Sequence, residues 1–280
     1  MPFRNSGWGK ISDFSLNSYQ TIDYVIRLFI NEHCEFYFLN TYTYGVAGLN
    51  AIELLQADDE WFDKPKEESL KQLGKLVERY TFNSNNPKHT FNAISECKNL
   101  IDGIKENIEK IGIDLVIVTG NAEKTVGKTT KNILEKIRSC PILIVPPHAS
   151  ISKEIYLTIA SDFKQKINTL EIDKLIKALE NTNIEIGILV LEKQNTLTTE
   201  AASNLESLLI YLKQLLNKRI GLEYIRPSYH LKDYAASNLD GIMCIIDKKP
   251  DLFRKIGLFR SNIILTLKQL RSNTVLTIHQ

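Results

Sequence analysis

Between Asp114 and Pro147 the chain reads DLVIVTGNAEKTVGKTTKNILEKIRSCPILIVPP: two apolar segments joined by a polar, glycine-punctuated turn and an amphipathic helix. Residues 115–118 are apolar and largely β-branched without alternation, the pattern of a strand covered on both faces. Ile133, Leu134 and Ile137 recur at helical spacing, Cys140-Pro141 stops the helix, and residues 142–145 form the next strand. Two buried strands joined by a helix require a parallel sheet with helices on its faces. The spacing therefore predicts the closing βαβ unit of a doubly wound α/β fold.

The turn inside this unit admits two phosphate-directed readings. Residues 122–129, from Ala122 to Gly127-Lys128-Thr129, fit the P-loop spacing with alanine at the first position. Backbone N–H groups at the helix N-terminus would then cradle phosphates, Lys128 would neutralise their charge, and the Thr129 hydroxyl would sit on a magnesium ion. On that reading the chain is a nucleotide hydrolase, with Asp247 at a later strand end as the metal-binding carboxylate. Glu123, however, places a negative charge in the loop, where it repels phosphate. A purely structural reading needs no ligand: Gly120 and Gly127 turn the chain, Thr129 caps the helix, and Asp247 is solvated.

The other reading rests on a wider pattern. Ile11-Ser-Asp-Phe-Ser15, Asn17-Ser18, a helix with Ile22, Val25, Ile26 and Phe29, and a strand from Cys34 to Thr41 precede the unit that ends in CPILIVP. In content and order these segments resemble the universal stress protein family. The resemblance implies an adenine nucleotide alpha hydrolase-like sandwich, a five-stranded parallel sheet flanked by helices. Nucleotide-binding members carry a glycine, two residues, a second glycine, nine residues, and a third glycine followed by Ser or Thr. Gly120 matches the first glycine and Gly127 the third, by its distance to Cys140-Pro141. Glu123 stands at the spacing of the second, and Lys128 replaces the small hydroxyl residue, with Thr129 and Thr130 following. For a site holding ATP or AMP with magnesium, the resemblance places Asp13 at the adenine end and Thr41 at the neighbouring strand end. Gly120, Gly127, Lys128 and Thr129 fall around the phosphates. It supplies neither a catalytic residue nor a protein-held metal ion.

With 280 residues the chain is about twice the length one such unit needs, and it repeats itself. Ser12-Asp13-Phe14 recurs as Ser161-Asp162-Phe163, each ahead of an amphipathic helix. After a strand at 155–160, helices at 169–181 and 199–218 alternate with strands at 184–191 and 220–225. A strand at 241–246, a helix around Ile263, Ile264 and Leu267, and a strand at 275–278 then close the second half as the first closes. The expected division is 1–148 and 149–280, two α/β sandwiches joined by the stiff connector Pro146-Pro147-His148-Ala149-Ser150-Ile151-Ser152. The second half is degenerate: Asp247-Lys-Lys-Pro-Asp251 follows its fourth strand with no glycine until Gly257. Strands 141–145 and 275–278 are expected to meet in an internal pseudo-dimer, since exposed apolar edges invite aggregation. The fused chain is then a monomer or dimerises further.

Elsewhere, residues 42–65 read as a long loop, and helices are expected at 67–82 and 96–111. The start, MPFRNSGWGK, makes only a poor, edge-like first strand because it holds two glycines and a proline. The four cysteines, without CxxC spacing, read as buried reduced thiols. The five histidines fall in predicted loops and ends, leaving no zinc pattern. No apolar run approaches the roughly 18 residues of a membrane span and no signal-peptide order opens the chain, so a cytoplasmic protein is expected. Net charge of +2 gives no overall nucleic-acid surface. Lys248, Lys249, Arg254, Lys255, Arg260, Lys268 and Arg271 nevertheless face only Asp251 in sequence, a basic stripe that would meet an anion or an acidic partner, or else a solvated helix face. The expected function is that of a stress-linked, non-enzymatic binding and interaction module for a protein partner, with weak adenine-nucleotide binding in the first half. The alternatives are an ATP-binding sensor or the hydrolase built on residues 122–129.

Overall fold

The computed structural model describes residues 6–11, 14–44, 59–121, 126–152, 154–216, 220–225, 230–247 and 262–279. The first half runs β1 (Ser6–Ile11), α1 (Leu16–Leu28), β2 (Cys34–Tyr42), α2 (Asp59–Asn83), β3 (His89–Cys97), α3 (Leu100–Asn107), β4 (Ile113–Thr119), α4 (Lys128–Lys136) and β5 (Ile142–Val145). The second runs β6 (Ile155–Ser161), α5 (Leu170–Ala178), β7 (Ile184–Val190), α6 (Thr199–Leu216), β8 (Gly221–Tyr224), α7 (Leu231–Ser237), β9 (Ile242–Asp247), α8 (Asn262–Gln269) and β10 (Thr274–His279).

These strands form one sheet in the order β3-β2-β1-β4-β5-β10-β9-β6-β7-β8. Within each half all pairings are parallel and the order is the same, third-second-first-fourth-fifth. The halves meet where the strands expected to pair do so: β5 and β10 run antiparallel, with Val275 opposite Ile144 and Thr277 opposite Ile142. An antiparallel joint between two copies of one strand relates the halves by an approximate twofold. It also removes the apolar edge that each half would otherwise expose.

Alternation along the strands splits the core into two layers. Leu115, Ile117, Leu143 and Val145 pack with α1, α2, α5 and α6, whereas Val116, Val118, Ile142 and Ile144 pack with α3, α4, α7 and α8. Both layers run continuously across the joint. Glu32, only 4% exposed after α1, reinforces it from one side. Its carboxylate accepts from the backbone N–H of Asn181 (2.9 Å), the Asn181 amide (2.9 Å) and the Thr182 hydroxyl (2.6 Å) of the second half.

The repeated Ser-Asp-Phe triplet has a structural counterpart. Phe14 and Phe163 both adopt left-handed backbone conformations, with φ of 56° and 54°. Such φ values are uncommon for a bulky residue. In the second copy the Ser161 hydroxyl accepts the Phe163 N–H at 3.1 Å, closing the turn, and the Phe163 ring is fully buried.

Several expectations need correction. The weak first strand is central rather than edge-like: β1 pairs with β2 on one side and β4 on the other. Its glycines are tolerated because neighbours supply hydrogen bonds along both edges. Of the expected loop at 42–65, residues 45–58 lie outside the described residues, and helix α2 already starts at Asp59, enclosing Pro65. Residues 96–111 are not one helix: β3 continues to Cys97, α3 follows, and a π-helical turn spans Ile108–Gly112. The aromatic and β-branched character of β3 is thin, with Phe91 and Ile94 the main apolar residues, so its sequence signal is weak. A further helix, α7, occupies what read as a short connecting segment.

Candidate functional site

The strand order reverses between β1 and β4, so the carboxyl ends of these two strands flank the crevice where open α/β sheets bind ligands. Thr41 and Gly120 lie at this edge of the sheet. Asp13, two residues past the end of β1, falls outside the described residues, as do Ala122 and Glu123 of the loop.

Gly120 is a packing glycine. Its N–H donates to the Val145 carbonyl at 2.7 Å, extending the β4–β5 ladder. A Cβ there would come within 3.2 Å of both the Pro146 Cα and the Val145 oxygen. This amide is consumed by the sheet and is not a donor for phosphate. Gly127 plays a different part. It is the N-cap of α4 with φ −56° and ψ 147°, its carbonyl accepts from Lys131 N at 2.9 Å, and among the described residues a Cβ would meet only Thr130 Oγ1 at 3.8 Å. A glycine is therefore not demanded by the space around it.

No side chain caps α4, so the expected Thr129 cap is not made. Lys128 and Thr129 are both exposed in its first turn, while Thr130 is buried. The leading N–H groups of the helix have no intrahelical acceptors. Thr41 belongs to the packing: a Cβ on Gly103 of α3 would come within 3.1 Å of its Cγ2. The structure thus gathers Gly120, Gly127, Lys128 and Thr129 around one turn and leaves Thr41 two strands away, against α3.

A cleft of about 40 Å³ opens beside this turn, with Gly120, Gly127 and Thr130 on one wall and Lys268, Leu270 and Arg271 of the second half on the other. Small-molecule sites typically enclose roughly 300–1,000 Å³. Among the described residues the cleft has the size of one small group. The basic residues and the pairing of the last strands are each expected from the sequence, but not that this pairing carries Lys268 and Arg271 to the first-half turn.

Asp247 overturns both of its sequence readings. It is 2% exposed and bound by Arg138 of the first half, whose guanidinium donates to its carboxylate and, at 2.9 Å, to its backbone carbonyl. His279 Nδ1 lies 3.5 Å from the same carboxylate. Because β9 runs antiparallel to β4, Asp247 stands at the opposite edge of the sheet from Lys128 and Thr129. The hydrolase constellation is not assembled. His279, expected in a loop or end, is buried in β10, and its N–H donates to Glu171 at 2.7 Å. Burial raises the Glu171 carboxyl above the usual carboxylate range, against the lowering influence of His279, Lys174 and Arg138. His89 is likewise buried, at the start of β3, with its Nε2 3.0 Å from the Phe29 carbonyl. Burial lowers its pKa.

Cys34, Cys140 and Cys244 are buried, the last two with thiols pushed up to about 12 by burial, but Cys97 is exposed at the end of β3, against expectation. The described residues contain no group of three or more His, Cys, Asp or Glu able to hold a metal ion.

Comparison with known proteins agrees with this architecture. A universal stress protein from Archaeoglobus fulgidus DSM 4304 is similar over 99% of this chain and 99% of its own, with a TM-score of 0.68 at 13% identity. The chain has the tandem universal stress protein fold. A universal stress protein structure from Pseudomonas aeruginosa UCBPP-PA14 is similar over 98% of this chain and 93% of its own (TM-score 0.58, 11% identity). The cytoplasmic domain of a prokaryotic cation chloride cotransporter shares the fold over 98% and 95% (TM-score 0.55, 12% identity). No protein-family model and no curated protein sequence matches the chain. Among the described residues no helix is long and apolar enough to cross a membrane.

Proposed function

We propose that the protein is a non-enzymatic binding module of the universal stress protein type, acting in the cytoplasm in a stress response. Residues 1–148 and 149–280 are its two domains, and a protein partner receives its output. On this reading the first-half turn at Gly127-Lys128-Thr129 retains weak contact with the phosphates of an adenine nucleotide, ATP or AMP with magnesium, while Asp13 and Thr41 lie toward the adenine.

The observation that carries it is the asymmetry between the two strand ends. At the end of β4 the turn opens on a cleft, with the N-terminus of α4, uncapped by any side chain among the described residues, and an exposed lysine beside it; at the end of β9 Arg138 instead holds the Asp247 carboxylate. This asymmetry favours the first half as the one that receives a group. The separation of Lys128 and Thr129 from Asp247 weighs against hydrolysis. That one structure with this fold is the cytoplasmic domain of a transporter supports the interaction part of the reading.

Titration calorimetry of the full chain with ATP and magnesium tests it, alongside Gly127→Val. A Cβ at this position meets no close contact among the described residues, and valine puts a branched side chain at the helix N-terminus. Saturable heat in the wild type that the variant loses supports the site, and an accompanying turnover assay should stay at background. Equal heats in both proteins would contradict it.

A further inference from the structure

Arg138 and Arg271 occupy matching places in the two halves. Each stands two residues beyond the helix that precedes the last strand, α4 ending at Lys136 and α8 at Gln269, and each is followed by a serine. Each lies four residues before a strand residue paired to the preceding strand: Ile142 to Val116, and Val275 to Met243. Counting four residues on from Val116 and from Met243 gives Gly120 and Asp247, so these two positions also correspond. The antiparallel joint carries each arginine across to the other half. Arg138 reaches the end of β9, and Arg271 is brought to the end of β4.

At the first of these places a carboxylate meets the guanidinium. At the second that carboxylate is missing, because its position is Gly120. Arg271 and Lys268 instead line the cleft with Gly120, Gly127 and Thr130. Among the described residues neither cation has an ion-pair partner, and no residue lining the cleft is acidic. The molecule therefore displays the same arginine twice, once with its oxyanion built in and once facing a space of about 40 Å³.

We propose that Arg271, with Lys268, forms an oxyanion subsite that the second half supplies to the first. It takes the phosphate or carboxylate group of a small ligand in the place that Asp247 takes beside Arg138. A guanidinium suits either group, since its paired N–H donors match two oxygens at once. The subsite rests on reading the first-half turn as ligand-facing and adds the group that neutralises the ligand's charge.

Thermal melts of the full chain at constant ionic strength test this, with chloride replaced stepwise by inorganic phosphate or, separately, by acetate. The wild type should show a saturable rise in midpoint with phosphate, with acetate, or with both; the effective anion identifies the ligand group. Arg271→Gln, an exposed substitution that spares the core, should weaken that response about tenfold or more. Lys105→Gln, on the exposed side of α3, should leave it unchanged. Gly120→Asp, which recreates the carboxylate of the second half, should abolish the response where circular dichroism shows the fold intact. A wild type indifferent to both anions, or an Arg271→Gln chain that responds like it, overturns the subsite. A phosphate response lost in Arg271→Gln without any ATP binding would leave the subsite standing and remove the nucleotide. ATP binding lost in Gly127→Val but unchanged in Arg271→Gln would overturn the subsite and keep the nucleotide.

Discussion

Arg138 of the first half clamps Asp247 of the second, donating both to its buried carboxylate and, at 2.9 Å, to its backbone carbonyl. The two partners are not equally committed: the Arg138 side chain is 22% exposed and Asp247 only 2%. Removing the arginine strands a carboxylate away from water, whereas removing the carboxylate leaves a cation that still reaches solvent. Arg138→Met should therefore cost about 3 kcal/mol in urea unfolding, in the range expected for breaking a buried pair. Asp247→Asn should cost clearly less, and the double variant should recover part of the Arg138→Met loss. Equal losses from the two single variants would show that the difference in burial does not govern the pair.

Glu32 ties the two halves together in the α1–α5 layer, through three bonds to Asn181 and Thr182. Glu32→Ala should destabilise the chain by about 2 kcal/mol, the order of a charged hydrogen-bonding group lost from a buried site. Hydrogen exchange should quicken in the Asn181–Thr182 turn before it does in β1–β4. Uniform acceleration over the whole chain would instead mark the halves as one cooperative unit.

Glu171 makes stability pH-dependent in a stated direction. Its carboxyl is raised by burial, so the folded chain holds that proton at a higher pH than the unfolded chain does. Its contribution to stability is then fully present at low pH and is lost as pH rises from the ordinary carboxylate value through the raised one. Glu171→Gln keeps an acceptor for the His279 N–H and removes the loss. Urea midpoints should coincide for the two proteins at about pH 4 and favour the variant at about pH 7. A variant weaker than wild type at neutral pH would show that the charge of Glu171 is needed by its cationic neighbours.

Thiol chemistry separates one cysteine from the other three. Cys34, Cys140 and Cys244 are buried, and burial pushes the last two up to about 12, so thiolate is scarce at neutral pH. A disulfide reagent added to the native chain should titrate Cys97 alone, and unfolding should release three more. Early modification of Cys140 would mean that the β4–β5 edge opens readily.

Residues 114–147 and the Ser-Asp-Phe repeat made the doubly wound fold and its duplication readable from sequence. Continuous apolar runs declare buried parallel strands whatever surrounds them, and that signal also pointed to β5 and β10 as the edges that meet. β1 and β3 were less legible because their membership comes from backbone pairing with β2 rather than from apolar pattern. At the candidate site, the roles of Gly120 and Asp247 were not legible. One is fixed by close contact with β5 and the other by an arginine from 109 positions away in the chain, and neither relation has a local sequence trace.

Hydrogen–deuterium exchange of the full chain with and without ATP and magnesium tests the central claim most directly, because it reports where the ligand sits. New protection confined to the peptides covering residues 120–131 and 266–273 is the expected result: the loop of the first half and the cations of the second. No change there, or protection centred on the end of β9 around the Arg138–Asp247 pair, would contradict the account.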